Sequence, residues 1–220
     1  MGMIDHYRTV YAGGAGEIVE KKSRFIATVC PVETEEEALQ FIEKTKKQYW
    51  DARHNCSAYI IGTGNPTMRC SDDGEPAQTA GRPMLDVLMG EKLTNVCVVV
   101  TRYFGGTLLG TGGLVRAYSG AVQAGLSESI LIEKTLADIM ELTCDYNSVG
   151  KLQYLFGQMG LTILSSDYTD VVTFRILVPK AQGAEFTKKV TESTSGRFLP
   201  TIDKETYFSV IDKEIILFES

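Results

Sequence analysis

From Val96 to Val100 the chain is apolar without a break, V-C-V-V-V. A run that short, rich in β-branched residues and free of alternation, predicts a strand buried on both faces. Further on, Leu114, Val115, Tyr118, Val122 and Leu126 recur at helical spacing and predict a helix with one apolar face. Between them lie Arg102-Tyr103-Phe104 and a loop with five glycines, Gly105, Gly106, Gly110, Gly112 and Gly113. Strand, glycine loop and helix start form the centre around which the other elements are predicted.

Before this centre, the segment through Gly16 reads as a loose lead-in or an edge strand. Phe25, Ala27 and Val29 alternate with Arg24, Ile26 and Thr28, which predicts one strand over residues 17–32. Thr34 with Glu37 three residues on is a capping box and opens a helix, with Leu39, Ile42 and Tyr49 expected on its inner face. Residues 54–62 read as a strand with His54, Cys56 and Ala58 on one side, followed by a turn at 62–65 and a short strand at 68–71. A helix is expected from about Thr79, with Pro83 in its first turn, carrying Met84, Leu85, Val87 and Leu88 as far as Gly90. The order predicts an α/β sandwich with helices on one face of the sheet.

After about residue 133 the pattern starts again. Residues 135–144 read as a strand. Asn147 is expected to cap a helix whose apolar stripe is Val149, Leu152, Leu155, Phe156 and Met159, closed by Gly160. Strands are predicted at 162–166 and 171–178, then a helix over 179–192 with Phe186 and Val190 inward, and one or two closing strands. The order β-α-β-β-α-β predicts a ferredoxin-like domain. The fold class is therefore α+β, with domains at 1–132 and 133–220.

The glycine loop leads into a helix N-terminus, where free N–H groups and the positive dipole end suit an anion. Arg102 and Arg116 flank it. It is not a phosphate-binding P-loop, since G-x-x-x-x-G-K-[ST] is missing, nor a G-x-G-x-x-G dinucleotide fingerprint. The plainer reading is that the glycines allow tight turns and close packing. Other polar residues sit near predicted element ends: His54, Asp72, Asp73, Glu75 and Arg82. The three carboxylates could bind a hard cation or act as acid and base; a solvated acidic turn is the favoured reading of any one such cluster, and the run into a helix start at 79–83 raises the chemical one. Cys56 beside His54 could pair nucleophile with base, but nothing orients the histidine, and a buried structural cysteine is the usual case.

The chain has 220 residues, 44% of them hydrophobic, a net charge of −6 and a pI of about 5.1. Both halves are acidic, 13 Lys+Arg against 15 Asp+Glu before residue 133 and 9 against 13 after it. That counts against indiscriminate nucleic-acid binding and leaves only local basic patches. Two candidates stand out: Lys21, Lys22 and Arg24, and the helix face with Lys44, Lys46 and Lys47. Each also reads as a solvated surface. Five cysteines without a C-x-x-C pair, no leader pattern and no membrane-length apolar run predict reduced thiols in a cytoplasmic protein. No cysteine–histidine cluster has zinc-ligand spacing, and no cofactor is expected.

The pieces GRPMLDVLMG and VCVVVTRYFGGTLLGTGGLVRAY resemble the signature of the IMPACT–YigZ family. KKSRFIA, ARHNCSAY and SDDGEPAQTAGRPM resemble the same family and occur in the right order. The likeness covers about the first 130 residues closely and the rest through domain order. It implies a first domain of the type seen in a ribosomal protein and in domain four of elongation factor G. It implies a second domain like domain five of that factor. Eukaryotic IMPACT members regulate translation by competing for the activator of a starvation-sensing kinase. Their RWD domain has no counterpart in these residues, so the resemblance does not extend to that partner. What it implies is a translation-linked protein binding RNA, the ribosome or a protein. The alternative is a small-ligand protein or hydrolase-type enzyme that takes a phosphate-bearing molecule in a cleft formed by His54, Asp72, Asp73, Glu75, Arg82, Arg102 and the glycine loop, although no nucleophile stands out.

Overall fold

The computed structural model describes residues 4–218. Their contacts divide them into two units, residues 7–133, and residues 134–218 together with 4–6. Residues 4–6, expected with the first domain, join the second because Leu136 N–H donates to the Asp5 carbonyl at 2.8 Å and Tyr207 OH to the Ile4 carbonyl at 2.8 Å.

The lead-in contains a strand, β1 (His6–Ala12), which from Tyr7 on belongs to the first unit, lays Arg8 beside Leu93 and buries Val10. Residues 17–32 are not one strand but a hairpin, β2 (Ala15–Glu20) and β3 (Ser23–Pro31). Its two turn residues, Lys21 and Lys22, have φ of 45° and 67°. Positive φ at both positions is the geometry of a type I′ turn, whose twist matches the flanking strands. Asn-Gly is the usual signal there, and a pair of lysines conceals the turn.

Helix α1 (Glu35–Gln48) starts at the predicted capping box, with Thr34 Oγ accepting from Glu37 N–H at 3.2 Å. Its buried face is Ala38, Ile42 and Thr45, while Leu39 lies half exposed at 52%. Strands β4 (His54–Ile61) and β5 (Thr67–Ser71), helix α2 (Gly81–Gly90), strand β6 (Val96–Tyr103) and helix α3 (Thr111–Ser127) complete the unit. The sheet order is β2-β3-β6-β4-β5, every neighbouring pair antiparallel. Central β6 sends Val96, Val98 and Val100 into a core shared with α2 and α3, and Cys97 and Val99 into a second core with Ala38 and Ile42 of α1. The helices therefore cover both faces of the sheet, not one. This is why the run 96–100 lacks alternation.

The second unit follows on β7 (Ile130–Cys144). Asp145, not Asn147, accepts from Ser148 N–H at 2.9 Å and opens the turn that leads into α4 (Val149–Gln158). Then come β8 (Thr162–Tyr168), β9 (Val172–Pro179), α5 (Gly183–Thr194), β10 (Thr201–Ile211) and β11 (Glu214–Phe218). The order β10-β7-β9-β8 is the ferredoxin-like arrangement, with β11 added at the edge. Leu152 and Phe156 of α4 and Phe186 and Val190 of α5 pack on Leu142, Phe174 and Ile176. Phe156 meets Phe174 edge-on at 5.5 Å.

The hairpin yields a stability prediction. Replacing Lys21 by Asn, which tolerates the left-handed region better, and Lys22 by Gly relieves strain at both positive-φ positions. Unfolding free energy from urea titration should rise by about 0.5–1 kcal/mol.

Candidate functional site: a cleft at the head of helix α3

The site grows from the C-terminal end of β6. Arg102 is the first residue of the R-Y-F-G-G run, and its register partner on β4 is His54. Its side chain is only 7% exposed, and its Nη1 donates to Glu75 Oε1 at 2.6 Å, a carboxylate side chain 3% exposed. Tyr118 of α3 donates its OH to the same oxygen at 2.8 Å. The guanidinium carbon lies 5.4 Å from the ring centroid of Phe25 and 5.6 Å from that of Phe104. A buried ion pair is costly to desolvate unless further bonds complete it, and here a phenol and two aromatic rings do so. Arg102 Nε is buried with no hydrogen-bond partner.

Above this pair opens a cleft of about 480 Å³. Arg53, His54, Gly74, Glu75 and Pro76 line it from the β4 side, and Phe104, Leu108, Leu109, Gly110, Thr111 and Leu114 from the loop and α3. Gly110 caps α3 at φ 73°, with no side-chain hydrogen bond and no acid in the first turn. The N–H groups and positive dipole end of a 17-residue helix therefore face no competing side-chain acceptor of the cap. Gly105 has another role. A Cβ there would sit 2.1 Å from the backbone carbon of Lys22, so only glycine lets the loop pass under the hairpin turn. His54 has its Nδ1 2.8 Å from the Asp73 carbonyl oxygen. A carbonyl only accepts, so Nδ1 carries the proton and Nε2 is the nitrogen left to meet a ligand.

Of the residues singled out from the sequence, His54, Glu75, Arg102 and Gly110 meet in the cleft. The three neighbouring carboxylates point to three different places. Asp72 accepts from the N–H groups of Gln78, Ala80 and Gly81 and ties the loop to the start of α2. Asp73 accepts from Asn55 N–H at 2.7 Å and pairs with Lys46 at 3.0 Å. Arg82 is exposed and pairs with Asp86 along its own helix. Arg116 lies exposed on α3, and Gly106, Gly112 and Gly113 do not line the cleft. Among the described residues no group of three His, Cys, Asp or Glu could hold a metal ion.

The two basic patches are largely offset. Arg24 makes a two-pronged pair with Glu17 at 2.7 and 2.9 Å, Lys46 is taken by Asp73, and Lys21 and Lys22 form the hairpin turn. Lys44 and Lys47 remain exposed on α1. Cys56 is fully buried, its Sγ 3.0 Å from the Asp72 carbonyl and 3.4 Å from Tyr118 OH. Burial pushes its thiol up to about 12, so it is no nucleophile near neutral pH. Sequence reasoning missed Arg53, Pro76, Phe104, Leu108, Leu109 and Thr111. Phe104, Leu108 and Leu109 stood inside the quoted motif, and large apolar residues in a glycine loop were the available signal.

Comparison with known proteins places the chain in context. Residues 21–126 match the Impact N-terminal domain, and residues 142–197 match a domain of unknown function, DUF1949. IMPACT family member YvyE of Bacillus subtilis is 44% identical over 195 residues, covering 89% of this chain and 90% of that protein. IMPACT family member YigZ of Escherichia coli is 41% identical over 178 residues, covering 80% and 87%. A crystal structure of a hypothetical protein superposes with a TM-score of 0.59 at 36% identity, covering 92% of this chain and 99% of that one.

Two outcomes test the site's construction. Arg102→Ala should cost about 3–5 kcal/mol by urea titration, because it strands Glu75 as a buried charge. Arg102→Met with Glu75→Leu should recover much of that loss. In timed alkylation of the native protein at pH 8, exposed Cys70 should react first. Cys56, with about one thiol in ten thousand ionised, should react only on unfolding.

Proposed function

The chain belongs to the IMPACT family, and from that premise we propose that it is a translation-linked regulatory protein that works by binding, holding a phosphate-bearing group in the cleft at the head of α3. Arg102 is the observation that carries the binding part. It is buried, held in place by Glu75, Tyr118 and two aromatic rings, and has a donor without an acceptor. Arg102 lines the cleft, so an anion held there would lie beside a guanidinium already fixed in place. The helix head and exposed Arg53 add positive and donor character to the same cleft.

The translation-linked part rests on the family resemblance, with RNA or the ribosome as the phosphate-bearing partner. A net charge of −6 favours a local site over a general attraction to nucleic acid. The five cysteines are all free, in keeping with work in the cytoplasm. No helix of the described residues is long and apolar enough to cross a membrane.

Two measurements test this reading. Purified protein should co-sediment with ribosomes on sucrose gradients at low salt and dissociate as salt rises. Its absence from ribosomal fractions at low salt would remove the translation-linked part. In thermal shift assays, phosphate-bearing compounds at about a hundred times Kd should raise Tm by about 5 °C or more. Arg53→Ala should weaken binding roughly fivefold without lowering the Tm of the free protein, since Arg53 is exposed. No stabilisation by any phosphorylated compound would remove the cleft.

A further inference from the structure

We propose that the cleft takes a single nucleoside monophosphate unit, with its phosphate at the head of α3 and its base against Phe104. The inference rests on the phosphate reading above and adds the rest of the ligand.

The cleft has two unlike ends. The polar end holds the uncapped N-terminus of α3, the largely buried Arg102, and Arg53 and His54. The helix end and the buried arginine are independent features, one from the backbone and one from a side chain locked by Glu75. The helix end attracts an anion, and the arginine, its charge matched by Glu75, offers guanidinium N–H donors beside it. The other end is apolar. Phe104 is 44% exposed and Leu108 82% exposed, and Leu109 and Pro76 lie beside them.

A bare phosphate satisfies the first end and leaves the second uncovered, in a space of about 480 Å³ that belongs to the size range of small-molecule sites. A ligand with a flat apolar body joined to a phosphate satisfies both. Phe104 also fits the body. Its ring already carries the Arg102 cation at 5.6 Å and still exposes nearly half its surface. Bases stack on such rings without regard to sequence. A nucleobase, being flat and rich in polar edges, also suits an open cleft better than an aliphatic chain would. The space accommodates one nucleotide and no duplex. A free nucleotide and the phosphorylated 5′ end of an RNA share this chemistry.

Calorimetric titration of the full chain separates the possibilities. The probes are inorganic phosphate, ribose 5-phosphate, AMP and a 5′-phosphorylated tetranucleotide with its 5′-hydroxyl counterpart. AMP should bind about tenfold or more tightly than ribose 5-phosphate, the difference being the stacked base. Phe104→Ala should abolish that difference while ribose 5-phosphate still binds, and Phe104→Trp should keep it. A tetranucleotide that binds as well as AMP, and needs its phosphate, assigns the RNA end. AMP alone binding assigns the free nucleotide. Equal affinities for AMP and ribose 5-phosphate, or a preference that survives Phe104→Ala, overturn the nucleotide assignment and leave the phosphate reading standing. No binding by any of the probes, inorganic phosphate included, overturns both.

Discussion

The ion pair between Arg102 and Glu75 joins parts of the first unit that are far apart in sequence. It ties the end of the central strand to the loop before α2. Through Tyr118 it reaches α3, and through Phe25 it reaches β3. Both charged side chains are almost fully buried, so each depends on the other and on the phenol to remain there. The floor of the cleft is therefore a set of mutually required contacts, not a row of surface charges. A floor of this kind is fixed in direction by its own contacts, and pre-ordering of that sort lowers the cost of any binding it supports.

The walls of the cleft follow from the same strand. β6 is covered on both faces, so its end emerges from the middle of the unit. The chain must then turn back to start α3 against the sheet. Gly105 allows it to pass under the β2–β3 turn, and Gly110 at φ 73° swings it into the helix. The residues carried between these two glycines, Leu108 and Leu109, line the cleft with Phe104 just before them. A loop built for packing thus also presents an apolar lip beside a helix N-terminus. The geometry that serves packing also shapes the cleft.

Charge works locally in this protein. The chain as a whole is acidic, and several prominent cations are taken up by neighbours, Arg24 by Glu17, Lys46 by Asp73 and Arg82 by Asp86. The cleft is different because part of its positive character comes from backbone dipoles that no count of residues records. Selective recognition of one anionic group is compatible with such a distribution, and broad attraction to polyanions is not.

The sequence by itself determined the elements whose signals are local. The unbroken run 96–100, the Thr34–Glu37 capping box, the stripe with Leu152 and Phe156, and the ferredoxin-like order of the second unit were all legible, because periodicity and caps act within a few residues. The motif also pointed to Arg102 and the glycine loop. Only the tertiary structure decided the rest. The turn at Lys21–Lys22 is imposed by strand pairing on residues with no turn signature. The inner face of α1 is Ala38, Ile42 and Thr45 because α1 lies across the sheet from α2 and α3, a choice no helical periodicity encodes. Asp72, Asp73 and Glu75 are neighbours in sequence, yet one ties a loop, one pairs with a lysine and one holds the buried arginine. Side-chain direction at a tight turn is set by the partners that the fold brings within reach, and those partners lie up to 43 residues away.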